Sequence, residues 1–140
     1  MKKILMTIAL LCTLAQGAWA EKFTVDGLKY ITDSNNPSNV SVTGAADETM
    51  AGALTIPSTV TYDGKTYNVT TIGYGAFAWC ENITSVTISE GVTTIENDAF
   101  GNCEKLESVS IPASVTSVGE YLFLHSDALK TITVADDNTV

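Results

Sequence analysis

The stretch that decides the fold is Val92-Thr-Thr-Ile95-Glu-Asn-Asp-Ala99-Phe100-Gly-Asn-Cys103, because it recurs on both sides at a spacing of 23 residues. The preceding copy is Val69-Thr-Thr-Ile72-Gly-Tyr-Gly-Ala76-Phe77-Ala-Trp-Cys80, and the following copy is Val115-Thr-Ser-Val118-Gly-Glu-Tyr-Leu122-Phe123-Leu-His-Ser126. The apolar positions coincide in all three. A fixed period of this length indicates one short structural unit per repeat, with the units stacked as a solenoid.

Each copy is followed by a second pattern that predicts a β-strand. The three examples are Ile83-Thr-Ser-Val86-Thr-Ile88, Leu106-Glu-Ser-Val109-Ser-Ile111 and Leu129-Lys-Thr-Ile132-Thr-Val134. Their alternation places the aliphatic residues inward and serine and threonine outward. The segment Tyr121-Leu122-Phe123 predicts one short helical turn per repeat, with the phenylalanine in the core. The chain is therefore expected to be mainly β with short helical turns.

The repeats divide most of the chain. We expect residues 51–140 to form the repeat region, with repeats at 51–82, 83–105 and 106–128 and a partial repeat at 129–140. The first repeat is longer because it contains Tyr62-Asp63-Gly64-Lys65-Thr66-Tyr67, whose Asp-Gly pair predicts a β-hairpin that projects from the solenoid. Residues 21–50 do not repeat. Asp26-Gly27 predicts a second hairpin there, within a β-rich cap over the open end of the first coil.

The first twenty residues have the parts of a secretory signal peptide. Met1-Lys2-Lys3 precedes a short apolar run, and Ala18-Trp19-Ala20 closes it with the small residues that signal peptidases require. The apolar run is too short to favour an N-terminal membrane anchor, since a spanning helix needs about 20 apolar residues. We expect cleavage after Ala20, and a protein that is secreted or displayed at the cell surface.

Charge excludes two classes of partner. The net charge is −9, and loss of residues 1–20 lowers it to −11, because they contribute two lysines and no acid. The chain contains no arginine. Nucleic acids and anionic membrane surfaces both need clustered basic residues, so neither is expected to bind. No transmembrane segment is expected in the mature chain.

Two cysteines of the expected mature chain, Cys80 and Cys103, occupy the same position in consecutive repeats. Neighbouring coils lie about 4.8 Å apart, which is within disulfide range, but side chains in such a ladder point the same way. Ser126 fills the position in the third repeat, so a small buried side chain suffices there. Free buried thiols are favoured over a disulfide, and two cysteines alone do not make a zinc site.

The repeated pattern resembles the BspA-type, or Treponema pallidum-type, leucine-rich repeat. The residues that carry the resemblance are Ile83 to Cys103 and Leu106 to Ser126, together with the copy that the insert divides in the first repeat. The resemblance implies a leucine-rich-repeat solenoid. It also implies a secreted or surface-displayed protein, with adhesion to host or bacterial surface proteins or glycans. The family has no fixed residue-level binding motif that can be transferred.

Two sets of residues form the candidate binding surface. The first is a ladder of outward hydroxyls on the main strands, consisting of Thr55, Ser85, Thr87, Ser108, Ser110, Thr131 and Thr133. Strand propensity alone also explains these residues. The second set is Tyr62, Tyr67 and Trp79. Exposed aromatic residues are common at binding surfaces, but the two tyrosines can equally stabilise cross-strand pairing in their hairpin.

No catalytic, metal or cofactor site is expected. His125 is the only histidine, and its neighbours Ser126 and Asp127 lie on the same turn, where they do not converge on a substrate. The recurring acids Glu81, Glu104 and Asp127 lack the spacing of calcium loops and are expected to form a solvated edge.

The sequence therefore predicts an extracellular protein- or glycan-binding module of the adhesin type, and no enzyme. Two alternatives remain open. One is a structural spacer or a fragment of a larger surface protein, and the other is an accessory component of a polysaccharide-utilisation system. Exposed aromatic residues grouped on one face would favour binding, whereas a bare serine and threonine face would favour the spacer. The last strand pattern, from Leu129 to Val134, is expected to leave an open sheet edge that promotes self-association.

Overall fold

The computed structural model describes residues 19–138, so the predicted signal peptide lies outside the described residues except for Trp19 and Ala20. The strands are β1 (Lys22–Val25), β2 (Leu28–Thr32), β3 (Asn39–Ala45), β4 (Ala51–Ile56), β5 (Thr59–Tyr62), β6 (Lys65–Ile72), β7 (Asn82–Ile88), β8 (Thr94–Ile95), β9 (Ser108–Ile111), β10 (Ser117–Val118) and β11 (Thr131–Val134). Between residues 19 and 138 there is no helix, and hence none that would reach across a bilayer.

The strands form two sheets. The main sheet has the order β11-β9-β7-β4, and all of its pairs are parallel. The second sheet has the order β1-β2-β3-β6-β8-β10, with β5 paired to β6. The second and third repeats each contribute one strand to each sheet, which is the arrangement that the 23-residue period predicts, and the first repeat adds the inserted strand β5 to the second sheet. The hydrophobic core lies between the two sheets.

The core follows the strand alternation that the sequence predicts. In β9, Val109 and Ile111 are buried, whereas Ser110 is exposed. Pro112 follows at once, as expected for a residue that cannot donate to the ladder. Three phenylalanines, one from each repeat, stack in a column. The ring centroids of Phe77 and Phe100 are 5.6 Å apart, and those of Phe100 and Phe123 are 5.9 Å apart.

The segment between the two strands of a repeat differs from the predicted helical turn. Amides of alternate residues bond in two directions: the N–H of Phe77 donates to the carbonyl of Ala99 in the next coil, while the N–H of Ala78 donates back to Gly75 within the turn. Half of the amides therefore join a ladder between coils. They are not free to make the hydrogen bonds within the segment that a helix would need. The result is a run of consecutive hydrogen-bonded turns at residues 74–79.

Left-handed backbone conformations interrupt each of these turns at two fixed positions. The φ angles are 57°, 57° and 58° at Gly75, Asp98 and Tyr121, and these residues are equivalent in consecutive repeats. The second position has φ angles of 66°, 56° and 57° and is occupied by Trp79, Asn102 and His125. A helix cannot continue through such residues, since its φ angles are negative throughout. The same backbone is thus imposed on very different side chains.

The residues before the repeats extend the second sheet. Strand β3 pairs in parallel with β6, as a repeat strand does, and the β1–β2 hairpin continues the sheet in antiparallel fashion. Both predicted Asp-Gly hairpins are confirmed. Asp26 and Gly27 turn between β1 and β2, and Asp63 and Gly64 turn between β5 and β6, all with positive φ. The division between a cap at 21–50 and a repeat region from 51 stays a prediction.

The hairpin inserted in the first repeat packs inward, contrary to the expectation that it simply projects. The ring of Phe23 from β1 stacks on Tyr62 at a centroid distance of 4.4 Å and contacts Tyr67 at 5.3 Å. Phe23 also stacks on Tyr30 at 5.4 Å. This cluster of four aromatic rings joins the two hairpins. Burial, and after it the charge of Asp26, raises the pKa of Tyr30 to about 12.

Cys80 and Cys103 are free and buried, as favoured from the sequence. The Cys103 Sγ donates to the carbonyl of Phe77 at 3.2 Å, and the Ser126 hydroxyl makes the same bond to the carbonyl of Phe100 at 2.8 Å. The position therefore supplies a donor that ties the second and third repeats to the phenylalanine of the preceding coil. Burial raises the pKa of the Cys103 thiol to about 12, with a smaller contribution from Cys80.

Candidate functional site

The predicted hydroxyl ladder forms one face of the main sheet. Thr55 pairs with Thr87, Thr87 with Ser110 and Ser110 with Thr133. Beside this column, Ser108 pairs with both Ser85 and Thr131. We call these seven residues the hydroxyl face. It is an ordered array of exposed and half-exposed hydroxyl groups, and it contains no aromatic side chain.

The two tyrosines of the inserted hairpin do not belong to an exposed surface. Tyr67 is only 4% exposed and lies in the core, so its place among the candidate binding residues was wrong. Tyr62 is half-buried, with its ring nearly parallel to that of Phe23 at an angle of 4°. The physical reason is that two hairpins share one apolar face, which the sequence of either hairpin does not reveal. Of the two interpretations, the structure supports packing.

Trp79 is exposed, and the structure surrounds it with other exposed aromatic and aliphatic side chains. Tyr74 is 73% exposed, Trp79 67% and Tyr121 66%, and Leu124 is also exposed. These four residues line one side of a cavity of about 380 Å³, together with Asn97, Asp98 and Asn102. We call the four the aromatic face. It lies on the turns between the two sheets, and its residues come from the first and third repeats, while Asn97, Asp98 and Asn102 of the cavity come from the second.

The backbone of this cavity is unusual for the side chains that it carries. Four of the lining residues have positive φ, namely Trp79, Asp98, Asn102 and Tyr121. Asparagine and aspartate tolerate the left-handed region, whereas bulky residues there are rare outliers. Each such residue costs about 1–3 kcal/mol, and such residues cluster at functional sites. Trp79 and Tyr121 are exposed, so core packing does not account for their size.

Polar groups complete the cavity. The N–H of Glu120 donates to Asn97 Oδ1 at 3.0 Å, which fixes the amide while Nδ2 donates to no other described residue. Asp98 Oδ1 is buried and, within residues 19–138, has no hydrogen-bond partner. A Cβ at Gly101 would collide with this carboxylate, so glycine leaves the space that Asp98 occupies. The unpaired buried oxygen destabilises the fold at this place, in addition to the strained backbone of Trp79 and Tyr121.

Tyr74 is held in place by the neighbouring coil. Its N–H donates to Glu96 Oε2 at 2.7 Å, so the two residues are tied across one repeat. Together with Asn97, Tyr74 also lines a second cavity of about 420 Å³, which continues over strands β8 and β10 towards Val118. The two cavities share Tyr74 and Asn97 in their lining, and we call the pair of neighbouring cavities the groove.

Sequence reasoning found Trp79 and missed Tyr121 and Leu124. Tyr121 occupies the position of Gly75 and Asp98 in the other repeats, and this substitution of a bulky residue for glycine was a signal in the sequence. It gains meaning only with the knowledge that the position has positive φ. Tyr74 lies outside the regular apolar positions of the repeat, and the sequence does not show which residues surround it.

The structure also describes the residues considered for catalysis and metal binding. The Ser126 hydroxyl is buried and committed to the Phe100 carbonyl, while it accepts the N–H of Cys103 at 3.1 Å. His125 is exposed on the turn beside it. In the described part of the chain, no three histidine, cysteine or acidic side chains come together as a metal site would require.

Stacked coils whose repeat strands pair in parallel in two sheets, together with a phenylalanine column, define the class of leucine-rich-repeat solenoids. Within that class the chain belongs to the family described as BspA type leucine rich repeat region, which matches residues 53–140 in six copies. No curated protein matches the chain.

Solved structures support the same assignment. A leucine-rich repeat protein from Bacteroides ovatus is 36% identical, with a TM-score of 0.72 over 79% of this chain and 28% of its own. A leucine-rich repeat protein from Bacteroides capillosus is 27% identical, with a TM-score of 0.58 over 81% of this chain and 98% of its own. A leucine rich cell surface protein from Faecalibacterium prausnitzii shares the fold at 21% identity, with a TM-score of 0.56 over 85% of this chain and 44% of its own. This chain thus spans just over a quarter of the length of the B. ovatus protein.

Proposed function

We propose that this protein is an extracellular binding module that contacts a protein or a glycan through the aromatic face. The module recognises a ligand and catalyses no reaction. The mature protein lies outside the cytoplasm, secreted or attached to the cell surface, after cleavage behind Ala20.

One observation carries the proposal. Trp79 and Tyr121 are exposed at positions where the backbone is left-handed, and they meet at one cavity although they come from different repeats. The equivalent positions elsewhere carry Asn102 and Gly75, which suit this backbone better. Retaining bulky aromatic side chains at two such positions is consistent with selection for contact with a ligand, since tryptophan and tyrosine are enriched at binding hot spots.

The family membership supports the extracellular location. The related F. prausnitzii protein is described as a cell surface protein, and the sequence begins with the parts of a signal peptide. N-terminal sequencing of protein recovered outside the cytoplasm is expected to start at Glu21. Recovery of the chain with Met1 retained would contradict the proposed location.

Binding is tested with two variants that separate the two faces. The double variant Trp79→Asn, Tyr121→Asp gives both positions residues that other repeats already carry there, so the fold is expected to be kept. Thr87→Lys is the matched control, because it places a bulky charge in the centre of the hydroxyl face. Wild type and both variants are applied to an array of extracellular-matrix proteins and glycans.

The array has three informative outcomes. Binding that the double variant loses and Thr87→Lys keeps supports the aromatic face. Binding that only Thr87→Lys loses would move the site to the hydroxyl face and contradict the proposal. Absence of any binding by the wild type would favour the structural spacer instead.

A further inference from the structure

The groove that contains the aromatic face is elongated. Its two cavities, of about 380 Å³ and about 420 Å³, share Tyr74 and Asn97 in their lining. Together they extend from Trp79 and Leu124 at one end to Val118 at the other. Each coil adds about 4.8 Å along the stacking direction, so the first and third repeats, which carry Trp79 and Tyr121, are separated by about 10 Å. This shape suits a chain that lies along the surface.

The size of the groove favours a small ligand over a folded protein. Eight residues line one cavity and seven line the other, with two in common. A stable protein–protein interface uses about 20–30 residues on each side. Arginine, which is enriched at protein hot spots, does not occur in the chain. The groove is therefore better matched to a few linked rings than to a protein surface.

The chemistry of the lining combines flat apolar rings with unused polar groups. The indole of Trp79 and the phenol ring of Tyr121 present apolar surface at the cavity. Around them, the amide Nδ2 of Asn97 and the side-chain amide of Asn102 donate to no other residue that the structure describes. A pyranose ring has the complementary pattern, with an apolar C–H face and hydroxyl groups around its edge. Aromatic rings attract such C–H groups through their negative faces, and the amides can bond the hydroxyls.

The charge of the groove selects among glycans. Its charged lining residues are Glu96 and Asp98, and no lysine lines either cavity. The whole chain carries a net charge of −9 before any cleavage. A sulfated or uronic-acid polymer would be repelled by these carboxylates, whereas an uncharged polymer would not.

We propose that the groove binds an uncharged glycan chain, whose pyranose rings stack on Trp79 and Tyr121 and whose hydroxyls bond Asn97 and Asn102. This inference rests on the proposed function, and it names the chemical class of the ligand. The Asp98 carboxylate borders the stacking site and accepts hydroxyl hydrogen bonds through the oxygen that is not buried.

The sequence provides a direct optical readout. Its two tryptophans are Trp19 and Trp79, so a protein that begins at Glu21 contains Trp79 alone. We expect a soluble uncharged polysaccharide, such as mannan, xyloglucan or a mixed-linkage β-glucan, to shift the emission of Trp79 to shorter wavelength. The shift is expected to saturate with concentration and to persist in Thr87→Lys. Heparin and polygalacturonate serve as anionic probes, and an oligolysine peptide serves as a cationic one.

Affinity electrophoresis and calorimetry with the same probes extend the test to variants without tryptophan. Trp79→Asn is expected to weaken binding of the uncharged polysaccharide at least tenfold, and Tyr121→Phe, which keeps the ring, much less than Tyr121→Asp. Trp79-dependent binding of heparin, oligolysine or a matrix protein, with none of the uncharged polymers bound, would overturn this inference and leave the proposed function standing. Absence of Trp79-dependent binding to every probe, with folding confirmed by circular dichroism, would overturn both.

Discussion

At the scale of single residues, the two left-handed positions of each repeat are the most informative. The positive φ at these positions suits Gly75, Asp98 and Asn102. It does not suit the bulky side chains of Trp79 and Tyr121. The backbone is imposed by the ladder of amides between coils and not by these side chains. Stability and recognition are therefore expected to conflict at Trp79 and Tyr121.

We expect Trp79→Asn to leave the free energy of unfolding unchanged or raise it by about 1 kcal/mol, because asparagine tolerates the left-handed region. Trp79→Ala is the matched control, since it also removes the ring but lacks that tolerance. Urea denaturation of both variants measures the difference. An alanine variant as stable as the asparagine variant would show that backbone conformation does not matter at this position.

Cys103 makes the free energy of unfolding fall as the pH rises into the alkaline range. Its pKa in the folded protein is about 12, chiefly because of burial, whereas an exposed thiol ionises near pH 8.5. Above about pH 9 the unfolded chain loses this proton and the folded chain keeps it, so the unfolded state binds fewer protons and the free energy of unfolding falls with pH. The fall is at most about 1.4 kcal/mol per pH unit for this group.

We expect Cys103→Ser to remove the Cys103 part of this fall, because serine already makes the equivalent bond at Ser126. Urea denaturation at pH 8 and pH 9.5 measures the slope for both proteins. The pKa of Cys80 is also raised, first by burial and then by Glu48, and that of Tyr30 is about 12, so a smaller alkaline loss remains. Identical slopes in the wild type and the variant would contradict a buried, protonated Cys103.

At the scale of elements, the coils are joined by a column of side chains and by ladders of hydrogen bonds. Phe100 is fully buried between Phe77 and Phe123, whereas Thr87 is exposed on the neighbouring sheet. Each inward position touches the same position of the next coil. A cavity in the central repeat therefore weakens contacts on both sides.

Phe100→Ala is expected to lower the free energy of unfolding by roughly 3–5 kcal/mol, as for other truncations of buried phenylalanine. Thr87→Ala is the control, with an expected change within about 0.5 kcal/mol for an exposed site. The chemical denaturation midpoints of the two variants test both expectations. Equal midpoints would mean that the inward and outward assignment is wrong.

At the scale of the whole molecule, the main sheet ends at β11 among the described residues. Ile132 and Val134 on this strand are 47% and 43% exposed. An unpaired strand edge with exposed apolar side chains recruits other chains, while Asp136 and Asp137 nearby oppose this by charge.

We expect residues 21–140 on their own to self-associate through β11 as their concentration rises, and Ile132→Lys to reduce this association. Light scattering across a concentration series measures it, and added salt is expected to strengthen it by screening the acidic residues. A wild-type protein that stays monomeric at high concentration would contradict the prediction.

The sequence alone determined the repeat, the family and most of the inward residues. A 23-residue period with matched apolar positions permits one kind of packing, in which each coil buries its side chains against the same positions of the next. Local signals were also sufficient for both Asp-Gly hairpins. These features depend on residues close in sequence or related by the period.

Only the tertiary structure decided the aromatic surfaces. Tyr67 and Trp79 both looked like exposed aromatic residues, yet Tyr67 is buried against Phe23 from another hairpin, and Trp79 lines a cavity together with Tyr121 from a repeat two coils away. Whether such a side chain is buried or exposed depends on which distant segments pack against it. The sequence around either residue does not contain that information. The left-handed conformation at Tyr121 was hidden for the same reason, since hydrogen bonds between coils impose it and the residue itself does not.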